Sequence, residues 1–257
     1  MSVISQDPTA NTSKVRILLI GDNGIDQYQY GTVTRISPEA PVPVVNYTHT
    51  VTRPGMAANV KDNLEKLGCE VEFVHGIKTC IKTRVIDERT KQHLVRIDQD
   101  LPSRAVKIDY TNIDQYNAIV VSDYNKGSVD YDTVENLRYR YSGPIFVDTK
   151  KSDLARFEGC FVKINQVEYE AAKTYPDDLI VTLGRDGVKY KEHKFSTPQV
   201  EAFDVCGAGD TFLSALAYNY VLSNDILNAI QFASRAASIT VQHIGVYSPT
   251  LEEIEQS

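Results

Sequence analysis

The sequence predicts an α/β sandwich around a mainly parallel sheet, from three observations. Short apolar runs at residues 15–20, 118–122, 144–148, 161–165 and 179–182 are spaced by helix-length stretches, as expected of strands buried on both faces and joined by crossover helices. The later runs end in polar residues, Ser122-Asp123, Asp148, Asn165 and Thr182, which places a row of functional groups along one sheet edge. Downstream, Phe203-Asp-Val-Cys-Gly-Ala-Gly-Asp-Thr-Phe212 brings two close glycines and an acid to the mouth of a helix.

Taking the chain in order, the strand at 15–20 ends at Gly21, and its C-terminal loop carries Asp22 and Asp26, either ligand-facing acids or solvated turn residues. Pro38, Pro41 and Pro43 exclude a helix over 30–45 and favour extended segments. A helix is predicted to open at Arg53-Pro-Gly-Met-Ala-Ala-Asn59, run through Val60, Leu64 and Leu67, and stop at Gly68. Residues 71–74 read as a strand. Two alternating stretches, 83–89 and 93–98, then suit a hairpin, with Arg84 and Arg96 on it.

The helix after Gly209 is predicted to show one broad apolar face: Phe212, Leu213, Leu216, Ala217, Tyr220 and Val221. Its start offers unpaired amides and the positive end of a dipole, which suits an anion. Asp210 would repel an anion. It fits either a general base beside a phosphate site or a plain N-terminal acid that complements the dipole, and the residues alone leave both open. There is no G-x-x-x-x-G-K-[ST] run, and Phe212 stands where a dinucleotide fingerprint needs its third glycine. A second amphipathic helix is predicted over 225–241, followed by a short acidic end.

With 257 residues, 42% hydrophobic and 24% charged, the chain suits one large domain. That domain spans 15–257 after a polar tail at 1–14. A formal charge of −7 argues against a nucleic-acid or anionic membrane surface. No apolar run approaches the roughly 20 residues of a membrane span, and the polar start has no signal-peptide core, so a cytoplasmic protein is expected. Cys69, Cys80, Cys160 and Cys206 are scattered without metal or disulfide spacing and read as reduced thiols. Cys206 sits where a helix N-terminus could lower its pKa, but a small packing residue is the preferred reading.

Asp204, Gly207, Ala208, Gly209 and Asp210 resemble the Asp-Thr-x-Gly-Ala-Gly-Asp signature of the ribokinase-like (PfkB) carbohydrate kinases, with Val205 where many members have threonine. Gly21-Asp22, Asp26, Tyr30-Gly31 and Arg35-Ile-Ser-Pro-Glu-Ala-Pro-Val-Pro-Val44 resemble the opening of one subgroup, the bacterial heptose 7-phosphate kinases. Ser122-Asp-Tyr-Asn-Lys-Gly127 is similar to that subgroup's Ser-Asp-Tyr-Gly-Lys-Gly. Asn165-Gln-Val-Glu168 is similar to the family's Asn-x-x-Glu, Thr182-Leu-Gly-Arg-Asp-Gly187 to its Thr-x-Gly-x-x-Gly, and His243-Ile-Gly-Val-Tyr-Ser-Pro249 to its loop near adenine.

The resemblance implies a ribokinase-like three-layer sandwich with a small β lid near 28–50 and 83–98. It implies ATP-dependent phosphorylation of a sugar phosphate, D-glycero-D-manno-heptose 7-phosphate giving the 1,7-bisphosphate. Asp210 would be the base, with Gly207, Ala208 and Gly209 as the anion hole. Asp22, Asp26, Arg35, Arg53, Gly55, Asn59, Arg84, Asp123 and Lys126 would bind the acceptor. Asn165, Thr182, Gly184, Gly187 and His243 would bind ATP together with the loop glycines. Glu168 and Asn165 would order Mg2+ through water, although Asn-x-x-Glu also caps helices. A monovalent cation and a homodimer contact through the lid are further implications.

The chain departs from the family in two places: Met56 replaces the second of two glycines in the acceptor pocket, and a helix–strand unit expected after Gly76 is missing. Such kinases often continue into a nucleotidyltransferase domain, and none is expected in this sequence. The alternatives are a kinase for another sugar or nucleoside, or a noncatalytic ligand-binding relative.

Overall fold

Alternate residues of the first strand point into different cores, and that alternation sets the layering. In the computed structural model, which describes residues 14–257, β1 (Arg16–Gly21) sends Ile17 and Leu19 to one side of the sheet and Leu18 and Ile20 to the other. All four are essentially inaccessible to solvent. An apolar run without a polar face is stable only where both faces are covered. Of the polar tail expected at 1–14, all but Lys14 lies outside the described residues.

After β1 come β2 (Asn23–Ile36) and β3 (Pro43–Met56), then α1 (Ala57–Lys66), β4 (Glu70–His75), β5 (Cys80–Asp87) and β6 (His93–Gln99). The chain continues through β7 (Ala118–Asp123), α2 (Tyr131–Arg140), β8 (Ile145–Thr149), β9 (Phe161–Asn165), α3 (Gln166–Ala171) and β10 (Leu179–Thr182). It ends with β11 (Val188–Tyr190), β12 (His193–Phe195), α4 (Ala208–Ser223), α5 (Ile226–Thr240) and α6 (Leu251–Glu255). The main sheet runs β12-β11-β10-β9-β8-β7-β1-β4, parallel from β4 to β10 and antiparallel beyond. A second sheet, β3-β2-β5-β6, stands apart as a lid.

One core joins the sheet to α1, α4 and α5 through Val60, Leu64, Phe146, Phe212, Leu216 and Ile230. The other covers the opposite face with Val134 and Leu137 of α2 and with Leu154 and Phe157. Among the described residues, no helix is long and apolar enough to cross a membrane.

Four expectations change. Arg53, Pro54 and Gly55 end β3 rather than open a helix, because Gly24 to Asp26 of β2 pair with them. The helix begins only after the backbone turns at Met56, whose φ is 54°. Residues Asp210 to Tyr218 of α4 are buried all round, not on one face, because α1 and α5 flank the half that lies on the sheet. Between β8 and β9 the crossover is a single 3-10 turn, Leu154–Phe157, instead of a helix. The lid is also larger than expected, taking in all of β2 and β3 and both strands of the β5–β6 hairpin. Only Gly76 to Thr79 separate β4 from β5, which leaves β4 as the sheet's edge.

Phe146 is fully buried, with the rings of Phe161 and Tyr220 centred 5.2 and 5.5 Å away. Phe146→Ala should therefore cost about 3–5 kcal/mol, read as a fall in the urea midpoint at unchanged slope. A loss below about 1 kcal/mol would show that this contact does not hold α4 to the sheet.

Candidate active site

Asp210 lies in the first turn of α4, and two side chains from other elements hold its carboxylate. Asn59 of α1 donates its Nδ2–H to Oδ2 at 2.8 Å, and the Tyr124 hydroxyl, just past β7, donates to Oδ1 at 2.8 Å. Asn63 fixes Asn59 from behind, donating to its carbonyl oxygen at 2.8 Å, and Thr211 donates to Asn63 Oδ1 at 2.9 Å. Thr240 of α5 bonds to Thr211 at 3.0 Å. This interior polar chain joins three helices, each of its bonds protected from water.

Burial pushes the Asp210 carboxyl up to about 6, with the Asp148 carboxylate adding to the rise. Asn59, Tyr124 and the Lys163 ammonium oppose the shift. Lys163 is 3% exposed and pairs with Asp148 Oδ2 at 2.7 Å. A Cβ on Gly209 would come within 2.9 Å of Lys163 Nζ, so the lysine lies directly against the glycine loop. Gly207 caps α4 with φ 81°, and a Cβ there would sit 3.0 Å from Asn59 Nδ2. The first amides of α4, from Ala208 onward, lack acceptors within the helix and face this corner.

The lid reaches the same loop. Asp26, 5% exposed, is paired with the Arg84 guanidinium, whose other arm donates to Cys206 Sγ at 3.6 Å. Arg84 also stacks 5.3 Å from the Tyr28 ring centre. Gly55 lies beneath Asp26, since a Cβ there would meet Oδ2 at 2.7 Å. Burial raises the Cys206 thiol to about 11, which makes it a neutral packing group despite its place before the helix. Asp204 ties the loop to the C-terminal segment, accepting from the amides of Cys206 and Gly245, both at 2.9 Å.

On the other side of Gly209 a cavity of about 520 Å3 opens, lined by Thr182, Gly184, Gly187, Phe203, Phe212 and Val241 among others. Its apolar walls meeting amides at one end suit a flat heterocycle carrying an anionic tail. Asn165 and His243 lie outside that lining. Asn165 and Glu168 form a reciprocal capping box on α3, and Glu168 also pairs with Lys150. His243 stacks on Tyr247 with centroids 3.6 Å apart.

Several expected acceptor residues are engaged in contacts within the protein. The carboxylate of Asp22, 1% exposed, accepts from the amides of Lys126 and Ser128 at 2.9 and 3.0 Å. Asp123 is equally buried and holds Asn125 N, Thr149 Oγ1 and Lys151 Nζ. Lys126 reaches Asp100 at 2.6 Å. Arg35 is exposed at the far end of the lid, Arg53 is exposed although it stands opposite Asp26, and Arg96 is bound to Asp98 on its own strand.

Tyr124, Lys163, Asn63 and Tyr28 were not singled out from the sequence. Lys163 had a signal, a charge inside the apolar strand run Phe161-Val-Lys-Ile, which demands a buried partner. Tyr124 had its place beside a strand end and inside the Ser122-Asp-Tyr-Asn-Lys-Gly127 run.

A carboxyl raised by burial favours the folded state while protonated and opposes it once ionised. Its contribution is complete below the unfolded value of 3.8 and is lost as pH rises through about 6. The stability of wild type relative to Asp210→Asn should therefore fall by about 2 kcal/mol between pH 4 and 7, measured by urea unfolding. A pH-independent difference would place the carboxylate in a solvated setting.

Comparison with known proteins adds an independent line. The model for "pfkB family carbohydrate kinase" matches residues 154–254. "Bifunctional protein HldE" of a Nitratiruptor species is 31% identical over 302 residues, covering 95% of this chain and 65% of that protein. This chain thus spans a little under two thirds of that relative's length. The alignment is longer than this chain's 257 residues, so the relative carries residues absent here. Among solved structures, ribokinase from Thermotoga maritima is similar with a TM-score of 0.72 at 19% identity, covering 95% of this chain and 98% of that one. Arabidopsis thaliana ribokinase, complexed with ribose and ATP, gives 0.73 at 14% identity, with 95% and 98% covered. The fold is ribokinase-like, and residues 154–254 carry the match to the pfkB family of carbohydrate kinases.

Proposed function

We propose that this chain transfers the terminal phosphoryl group of ATP to a hydroxyl of a sugar phosphate, with Asp210 as general base. The observation that carries this reading is a buried carboxyl raised to about 6, oriented by Asn59 and Tyr124 within the first turn of a helix. Such a group ionises near neutral pH, where a base works best. It takes the acceptor's hydroxyl proton while the hydroxyl oxygen bonds to the terminal phosphorus. The bond from that phosphorus to the bridging oxygen breaks, and ADP leaves.

The amides of Gly207, Ala208 and Gly209, with Lys163 beside them, stabilise charge on the moving group. The cavity bounded by Thr182, Gly184 and Gly187 takes the adenosine end. Magnesium accompanies ATP as a hard cation that neutralises phosphate charge. Glu168 and Asn165 would supply its oxygen donors from the protein, since one carboxylate plus phosphates is a normal magnesium setting.

Asp26, Gly55 and Asn59 hold the sugar, and Arg84 meets its phosphate. The resemblance of residues 35–44 to the heptose 7-phosphate kinases, and the HldE relatives, favour D-glycero-D-manno-heptose 7-phosphate as acceptor. Half-exposed Val95 and Ile97 and the more exposed Ile36 and Tyr47 on the lid suit a second copy of the chain.

ADP release with Mg-ATP should occur with heptose 7-phosphate and not with fructose 6-phosphate, ribose or a sugar-free blank. Asp210→Asn should lower kcat about 100-fold or more while ATP still binds. Activity confined to another sugar would discard the heptose, and equal turnover in the variant would discard the base. Separately, Arg84→Ala should raise KM for the phosphorylated acceptor about tenfold and leave KM for ATP unchanged. An unmoved acceptor KM would put the substrate phosphate elsewhere.

A further inference from the structure

Among the described residues, five that are not glycine have positive φ: Met56, Lys91, Asn125, Lys191 and Asn224. Four are lysines or asparagines exposed to solvent. Met56 differs on every count. It is 4% exposed, long and apolar, and its φ of 54° with ψ of −135° falls outside the small left-handed region that side chains tolerate. Glycine takes such a conformation freely, so a methionine kept there carries strain that some function offsets.

The contacts of Met56 point to that function. Its side chain lies across Gly24, where a Cβ would come within 2.6 Å of the thioether sulfur. Gly24, Asp26 and Tyr28 alternate as buried residues along β2 and so share the face that looks toward the glycine loop. On one side of Met56 is Gly55, covered by Asp26. Three residues on the other side is Asn59, which holds Asp210. Met56 thus stands between the groups that grip the acceptor and the group that deprotonates it.

We infer that Met56 is the specificity-determining wall of the acceptor site, an inference that rests on the phosphotransfer reading above. The thioether offers no hydrogen-bond donor and only a weak acceptor, so a hydroxyl turned toward it would lose water without gaining a partner. The acceptor admitted here presents a C–H face to Met56 and its hydroxyls to Asp26, Asn59 and Asp210. A larger or more hydroxylated group at that position is excluded by bulk and by desolvation together.

Met56→Gly removes both the wall and the strain, and Met56→Gln keeps the bulk while adding a polar end. The test uses the full chain and a panel of free and phosphorylated sugars of five to seven carbons. It reads ADP release and, in parallel, calorimetric binding of each sugar. Met56→Gly should compress the ratio of kcat/KM between the preferred and the next acceptor by about tenfold or more, with KM for ATP unchanged. Met56→Gln should preserve the size limit and improve acceptors carrying an extra hydroxyl.

An acceptor ranking unchanged in both variants would overturn the inference, as would equal loss on every acceptor. If no protein releases ADP, the phosphotransfer reading fails. The calorimetric ranking then decides alone: a shift in the order of Kd values supports Met56 as the wall, and an unshifted order, or no binding to any of the proteins, overturns it. Thermal melts establish that each variant folds, and if Met56→Gly does not, the same outcomes are read from Met56→Gln.

Discussion

A single carboxylate, held by Asn59 on one oxygen and by Tyr124 on the other, is the junction on which the rest of the structure depends. Asn59 belongs to the helix that returns from the lid, Tyr124 to the loop just past the interior strand β7, and Asp210 to the helix packed on the sheet. Removing water from this point raises the affinity of Asp210 for a proton, and the two donors limit the rise to about 6. A fully solvated acid would be too weak a base for an alcohol, and a buried one without donors would stay protonated.

The surrounding parts fall into place around that junction. Lys163 and the amides of α4 gather positive charge on one side of Gly209, and an apolar cavity opens on the other. Arg84 spans the gap between the lid and the glycine loop, paired with Asp26 and touching the neutral thiol of Cys206. The lid is therefore seated on the loop by a polar contact. Met56 packs across Gly24 at the same seam.

Much of the fold was legible because parallel strands covered on both faces leave continuous apolar runs, and those at β1, β7, β8, β9 and β10 stand where expected. The glycine loop was legible as a helix start, with the role of Asp210 left open by the residues alone. Cross-element contacts were not legible. Nothing in the sequence says that Tyr124 reaches Asp210, or that Asp22 and Asp123 accept from backbone amides. Asn165 and Glu168 show the limit most clearly, because the same two residues that resemble a magnesium motif also satisfy each other as a helix cap. The start of α1 was misplaced because propensity cannot register that β2 pairs with residues 53–55 and delays the helix.

The most direct test of the account is the pH dependence of kcat/KM for the acceptor in the wild-type protein. If Asp210 is the base and ionises at about 6, kcat/KM should fall about tenfold per pH unit below that value and level off above it. A profile flat from pH 5 to 8 would contradict a buried carboxylate as the proton acceptor.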